Sequence, residues 1–112
     1  MRDNQPVTQR EYTLDEQHLL ITRTDLEGRI TYANEAFVEA SGYSHEELIG
    51  VNHNLIRHPD MPPEAFADLW KALKLGVTWQ GVVKNRRKNG DHYWVRATVT
   101  PIIEDGQCQG YT

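Results

Sequence analysis

The chain has 112 residues, enough for one domain that buries roughly two thirds of its unfolded surface. A formal net charge of −4 argues against nucleic-acid binding by bulk charge, and the single cysteine, Cys108, excludes a disulfide framework or a cysteine metal cluster and suits a reducing compartment. No apolar run approaches membrane-spanning length, and Met1 to Glu16 is too polar for a signal peptide.

Residues 1–18 are polar and without period. They read as a flexible N-terminal arm, with a short helix near Leu14–His18, ahead of a domain spanning 19–112. Leu19-Leu20-Ile21-Thr22 reads as a strand, Thr24 to Gly28 as a turn, and Arg29 to Ala33 as the strand that completes a hairpin. Asn34 is the expected N-cap of a helix that Gly42 ends. Ser44-His45-Glu46-Glu47 has the capping-box pattern, in which the hydroxyl and the carboxylate each accept the other residue's backbone N–H. A polar loop, 51–62, follows. Pro62-Pro63-Glu64 opens another helix, in which Phe66, Leu69, Trp70 and Leu73 recur at helical spacing. From Thr78 the period becomes two. Three strands are expected, at about 78–88, 91–102 and 107–112, with turns at Lys88-Asn89-Gly90-Asp91 and Glu104-Asp105-Gly106-Gln107. The last strand reads as cut short at Thr112.

A two-residue turn at Asn89-Gly90 would pair Asn85 with Trp94. A three-residue loop with Gly90 in a bulge is expected to pair Asn85 with Val95. The bulged form gathers Trp79, Gly81, Val83 and Asn85 beside Tyr93, Val95, Ala97 and Val99. It leaves Lys84, Arg86, His92, Trp94, Arg96 and Thr98 on the opposite face. It is preferred because it collects the apolar residues on one side. Asn85 then sits on an apolar face, where an unpartnered amide costs about 1–3 kcal/mol. It must meet either backbone, as a loop cap, or a ligand. Five of the twelve basic residues lie on this hairpin, a pattern that fits a solvated strand face.

The loop clusters Arg57, His58 and Asp60. A guanidinium grips phosphate in a fork, so Arg57 and His58 suit a pyrophosphate, with Asp60 orienting Arg57 or accepting ribose hydroxyls. Equally, an Arg57–Asp60 ion pair would simply shape the loop. Trp70 and Trp79 suit either a core or a stack against a flat ligand. His53, His58 and His92 lack metal-ligand spacing, so no metal site is expected, although haem needs only one axial histidine. No catalytic motif and no dinucleotide or phosphate-binding glycine loop occurs, so no catalytic residue is assigned.

Two strands, short helices, then a three-stranded meander resembles a PAS domain. The resemblance is carried by Arg57-His58-Pro59-Asp60-Met61-Pro62 and by Lys84 through Arg96, with Ser41-Gly42-Tyr43 and Phe66-Ala67-Asp68. These runs are similar to the N-terminal PAS domain of bacterial aerotaxis receptors, over nearly the whole chain. The resemblance implies an α+β PAS fold: a five-stranded antiparallel sheet with short helices packed over one face. It also implies a non-enzymatic sensor that binds FAD non-covalently and reports its redox state in aerotaxis. By resemblance Arg57, His58 and Asp60 belong to the FAD-binding segment, and Trp70 and Trp79 line the cavity. Asn34 and His53 would lie near its edge, and Asn85 would face the isoalloxazine edge. Light-sensing flavin PAS domains carry a cysteine in the loop matching residues 52–58. This chain has none there, which argues against a covalent photoadduct.

The resemblance further implies a domain on the cytoplasmic side, within a homodimeric receptor anchored in the inner membrane. The domain itself would not insert. Trp94 and Arg96, on the outer sheet face, would meet the receptor's own signalling region, which acts in turn on a chemotaxis kinase complex. Alternatives are a haem or small-metabolite PAS sensor, a flavoenzyme fragment, or a cofactor-free dimerisation module.

Overall fold

The computed structural model describes residues 4–14 and 19–112. The expected short helix near Leu14–His18 lies almost wholly outside the described residues. The first hairpin is β1 (Thr22–Thr24) and β2 (Ile30–Ala33). Then come α1 (Glu35–Ser41), α2 (His45–Leu48), a 3-10 turn (His53–Ile56) and α3 (Pro63–Lys74). The last part holds β3 (Trp79–Arg86), β4 (His92–Val99), β5 (Pro101–Glu104) and β6 (Gln107–Tyr111). Among the described residues no helix is long and apolar enough to cross a membrane.

The sequence signals for the helix ends are realised. The Asn34 side chain accepts the Phe37 N–H at 2.9 Å, and Ser44 and Glu47 close the capping box at 2.9 and 3.1 Å. β2, β1, β6 and β5 form one antiparallel array, and β3 pairs with β4. β4 and β5 are one long strand interrupted at Thr100, just before Pro101. There Thr100 and Thr112 exchange N–H to C=O bonds of 2.8 and 3.0 Å. Counted this way, the sheet has the five antiparallel strands expected, and helices pack against it through α2 on β2 and α3 on β3. The filled core lies at one end, where Ile30, Ala33, Phe37, Leu48 and Ile56 pack together.

Three expectations are corrected. The first strand begins at Thr22, not Leu19. Residues 19 to 21 are held by Asn34 instead: its Nδ2 donates to Leu19 O, its Oδ1 accepts the Ile21 N–H, and its own N–H reaches Ile21 O. The second concerns the hairpin, which pairs Asn85 with Tyr93 rather than with Val95. The loop is the three-residue one, Lys88-Asn89-Gly90, with Gly90 at φ 102° and the Arg87 N–H closing on Asp91 O at 2.7 Å. A loop of that length pairs residue 87 with 91, so every partner falls two positions earlier. The shift preserves parity, and the expected faces survive.

The third correction is that the outer face of the hairpin is not uniformly solvated. Arg86 is 4 % exposed. Its guanidinium donates to Pro6 O, Gln5 O, Lys88 O and the Tyr43 hydroxyl, which satisfies a buried charge. These partners come largely from the segment read as an arm. Residues 4–14 run along the hairpin: Thr8 N–H donates to Gly90 O, and Arg10 and Tyr12 bracket His92 through backbone bonds. Asn4 Nδ2 reaches the carbonyls of Asn54, Leu55 and Arg57.

Candidate functional site

The other end of the domain is hollow. A cavity of about 1150 Å³ lies between α3, the 3-10 turn and the inner face of β3 and β4. Strand alternation points Val83, Asn85, Val95, Ala97 and Val99 into it, and α3 contributes Phe66, Leu69, Trp70 and Leu73. Val95, Ala97 and Val99 are only half-buried, although they occupy the core-facing positions of the sheet. The described side chains cover them only in part. Trp94, Arg96 and Thr98, which alternation turns to the outer face of β4, also border the cavity.

Five of the residues singled out in the sequence line this cavity: His53, Arg57, Trp70, Trp79 and Asn85. Asn85 is buried, and its amide neighbours the Tyr93 hydroxyl. Burial pushes that phenol upward, and the Asn85 amide opposes the shift. The Arg57 guanidinium lies over the Phe66 ring, 3.7 Å from its centroid. Its partial burial lowers its pKa, but an arginine stays charged at any physiological pH. His53 Nε2 lies 3.1 Å from the Thr22 hydroxyl, and its ring tilts against Phe37 at 5.8 Å. Burial, reinforced by the Arg57 charge, pushes its pKa down to about 4. It is therefore a neutral ring, and what surface it exposes faces the cavity.

Three others lie elsewhere. His58 is 1 % exposed, behind the wall. Its Nδ1 accepts the Asp60 N–H at 3.1 Å, and its ring stands edge-on to His92 at 6.0 Å. Burial and the Lys84 charge hold its pKa below the usual histidine value. Asp60 bonds Lys84 at 3.1 Å, which lowers its own pKa, and it lies 3.7 Å from His58 Nδ1. The Arg57–Asp60 pair is thus not formed, and Arg57 has no carboxylate partner among the described residues. Asn34 holds Leu19 to Ile21, which do line the cavity, and does not line it itself.

Sequence reasoning missed that stretch, because Leu19 to Ile21 resembles a strand. It also missed Asp68, an exposed residue of α3 whose carboxylate accepts the Trp79 indole N–H at 2.9 Å; no spacing rule announces that contact. Cys108 is half-buried on β6, does not line the cavity, and donates to Gly110 O at 3.4 Å.

A family model described as "PAS fold" matches residues 30–112. The aerotaxis receptor of Escherichia coli (strain K12) is 54 % identical over 105 residues, covering 94 % of this chain and 21 % of that protein. A nitrogen fixation regulatory protein of Klebsiella pneumoniae is 32 % identical over 102 residues, covering 89 % and 21 %. The chain thus spans about a fifth of the length of these relatives. Among solved structures, the light state of the blue-light photoreceptor Aureochrome1 LOV superposes with a TM-score of 0.74 at 26 % identity, covering 80 % of this chain and 73 % of that one. A PAS domain from Colwellia psychrerythraea gives 0.73 at 29 % identity, covering 82 % and 79 %.

Proposed function

The chain belongs to the PAS family, and on that premise we propose that it is a sensory input domain, not an enzyme, that holds FAD in the cavity and reports its redox state to a signalling region of the same receptor. One observation carries this reading: an apolar sheet face left half-buried, with a buried amide, Asn85, set into it. Flat walls from Val95, Ala97 and Val99 suit a ring system, and Asn85 supplies an edge group that can donate or accept. Arg57, in the wall and without a carboxylate partner among the described residues, suits a phosphate. FAD is the flavin that the resemblance to aerotaxis receptors implies, and a cavity of about 1150 Å³ has room for it. When bound, the flavin supplies reversible electron uptake.

The protein's own part is to bind, orient and read. Arg57 fixes the phosphate end, the α3 aromatics cover the rings, and neutral His53 adds a polar group without charge. Asn85 belongs to β3, so a change in its hydrogen bonding bears on the sheet whose outer face presents Trp94 at 48 % exposure and Val82 at 58 %. That face is the proposed contact with the signalling region. A homodimeric, membrane-anchored receptor acting on a chemotaxis kinase complex fits the likeness to an aerotaxis receptor. His53 Nε2 is engaged by Thr22, which disfavours it as an axial haem ligand.

The test is to purify the domain, record its spectrum and identify the compound released on denaturation. Bands at about 375 and 450 nm with FAD released are expected for a flavin. A colourless protein that takes up no FAD, or a single Soret band, would contradict the proposal. Asn85→Ala is expected to lower flavin affinity about 10-fold while the domain stays folded.

A further inference from the structure

Trp79 does more than line the cavity. It begins β3, and the far edge of its indole lies over Gly81. A Cβ built on Gly81 would come within 2.5 and 2.6 Å of the indole Cη2 and Cζ2, closer than real Cβ contacts come. Only glycine leaves the strand bare enough for the ring to rest there. In that position the indole Nε1 donates to Asp68 Oδ2 on α3 at 2.9 Å. The ring therefore bridges the two walls, seated on one and hydrogen-bonded to the other. The charged acceptor strengthens the bond, and the exposure of Asp68 to solvent weakens it. α3 is tied to the sheet a second time by Trp70, edge-on to Tyr111 at 5.3 Å. Between these ties, Phe66 and Leu69 remain only half-buried.

We infer that Gly81 and Asp68 are positioning residues that hold Trp79 as a latch between β3 and α3, and that this latch sets how fast a flat ligand enters and leaves the cavity. The inference rests on the cavity being a ligand site. It adds that the Asp68–Trp79 bond keeps the gap between α3 and β3 narrow, and that loosening it speeds exchange. Trp79→Phe keeps a ring on Gly81 but removes the N–H. Asp68→Ala removes the acceptor, and Asp68→Asn keeps a carbonyl oxygen there.

The experiment follows FAD release from the holoprotein by fluorescence after dilution, beside uptake of the dye 1-anilinonaphthalene-8-sulfonate by flavin-stripped protein. About 10-fold faster exchange is expected for Trp79→Phe and for Asp68→Ala, with the double variant no faster than either. Asp68→Asn is expected to restore slow exchange, which a merely structural loss would not do. Wild-type rates for both probes in all variants would overturn the latch and leave FAD binding untouched. Faster dye uptake in a protein that never binds FAD would uphold the latch and overturn FAD as the ligand.

Discussion

The two ends of the domain use the same residue types to opposite effect. At one end Ile30, Leu48 and Ile56 are 0–1 % exposed and close a core by themselves. At the other, Val95, Ala97 and Val99 occupy equally inward-facing positions, yet they border a cavity of about 1150 Å³. On the proposed reading, the filled end is built for stability and the hollow end for a guest. Apolar pattern alone does not separate them. What separates them is the company kept: a buried asparagine, an arginine with no carboxylate partner among the described residues, and a glycine that makes room for an indole.

That contrast can be broken experimentally. Leu48→Ala, in the filled end, is expected to cost about 2–5 kcal/mol in denaturant unfolding, with or without FAD. A cost below about 1 kcal/mol would mean that end is not the structural core. Acid is the next largest effect. His53 ties the two ends, touching Phe37 on one side and the cavity on the other. Its folded pKa, about 4, lies below its unfolded value of 6.5, so the unfolded chain binds the extra proton between those values. Its contribution is complete above about pH 6.5 and is lost as pH falls toward 4. It amounts to at most on the order of 3 kcal/mol. Urea unfolding across that range should show stability rising with pH, and His53→Gln should flatten the slope.

Arg57→Ala is expected to weaken FAD binding about 10- to 100-fold in a fluorescence titration while leaving riboflavin, which lacks phosphate, nearly unaffected. Equal losses for both would remove Arg57 from the phosphate. The smallest effect is expected for Val99→Ala. It should cost under about 1 kcal/mol in the flavin-free domain, because the side chain already borders open space and little new cavity is created. A loss matching that of Leu48→Ala would erase the distinction between the two ends.

Much of this was legible in the sequence. The caps at Asn34 and Ser44, α3 and the final meander each follow from local rules that act over three or four residues. The inward set on β3 and β4 was legible from alternation, and it survived a misplaced pairing because the error was an even number of residues. What was hidden depends on long-range partners. Leu19 to Ile21 has a strand's composition, but its backbone bonds go to Asn34, two to the side chain and one to the backbone N–H. Arg86 sits where alternation places a solvated charge, yet carbonyls of Gln5 and Pro6 bury it. Asp60 chose Lys84 over Arg57, which no spacing could foretell.

The central claim is that FAD completes the hollow end. Thermal unfolding of the flavin-stripped domain, followed by circular dichroism at increasing FAD concentration, tests it most directly. A ligand that binds only the folded state raises Tm with the logarithm of its concentration above Kd. The expected result is a saturable, one-to-one rise in Tm that is largest for FAD, smaller for FMN and smallest for riboflavin. A cooperative unfolding transition that none of the three moves would contradict the claim.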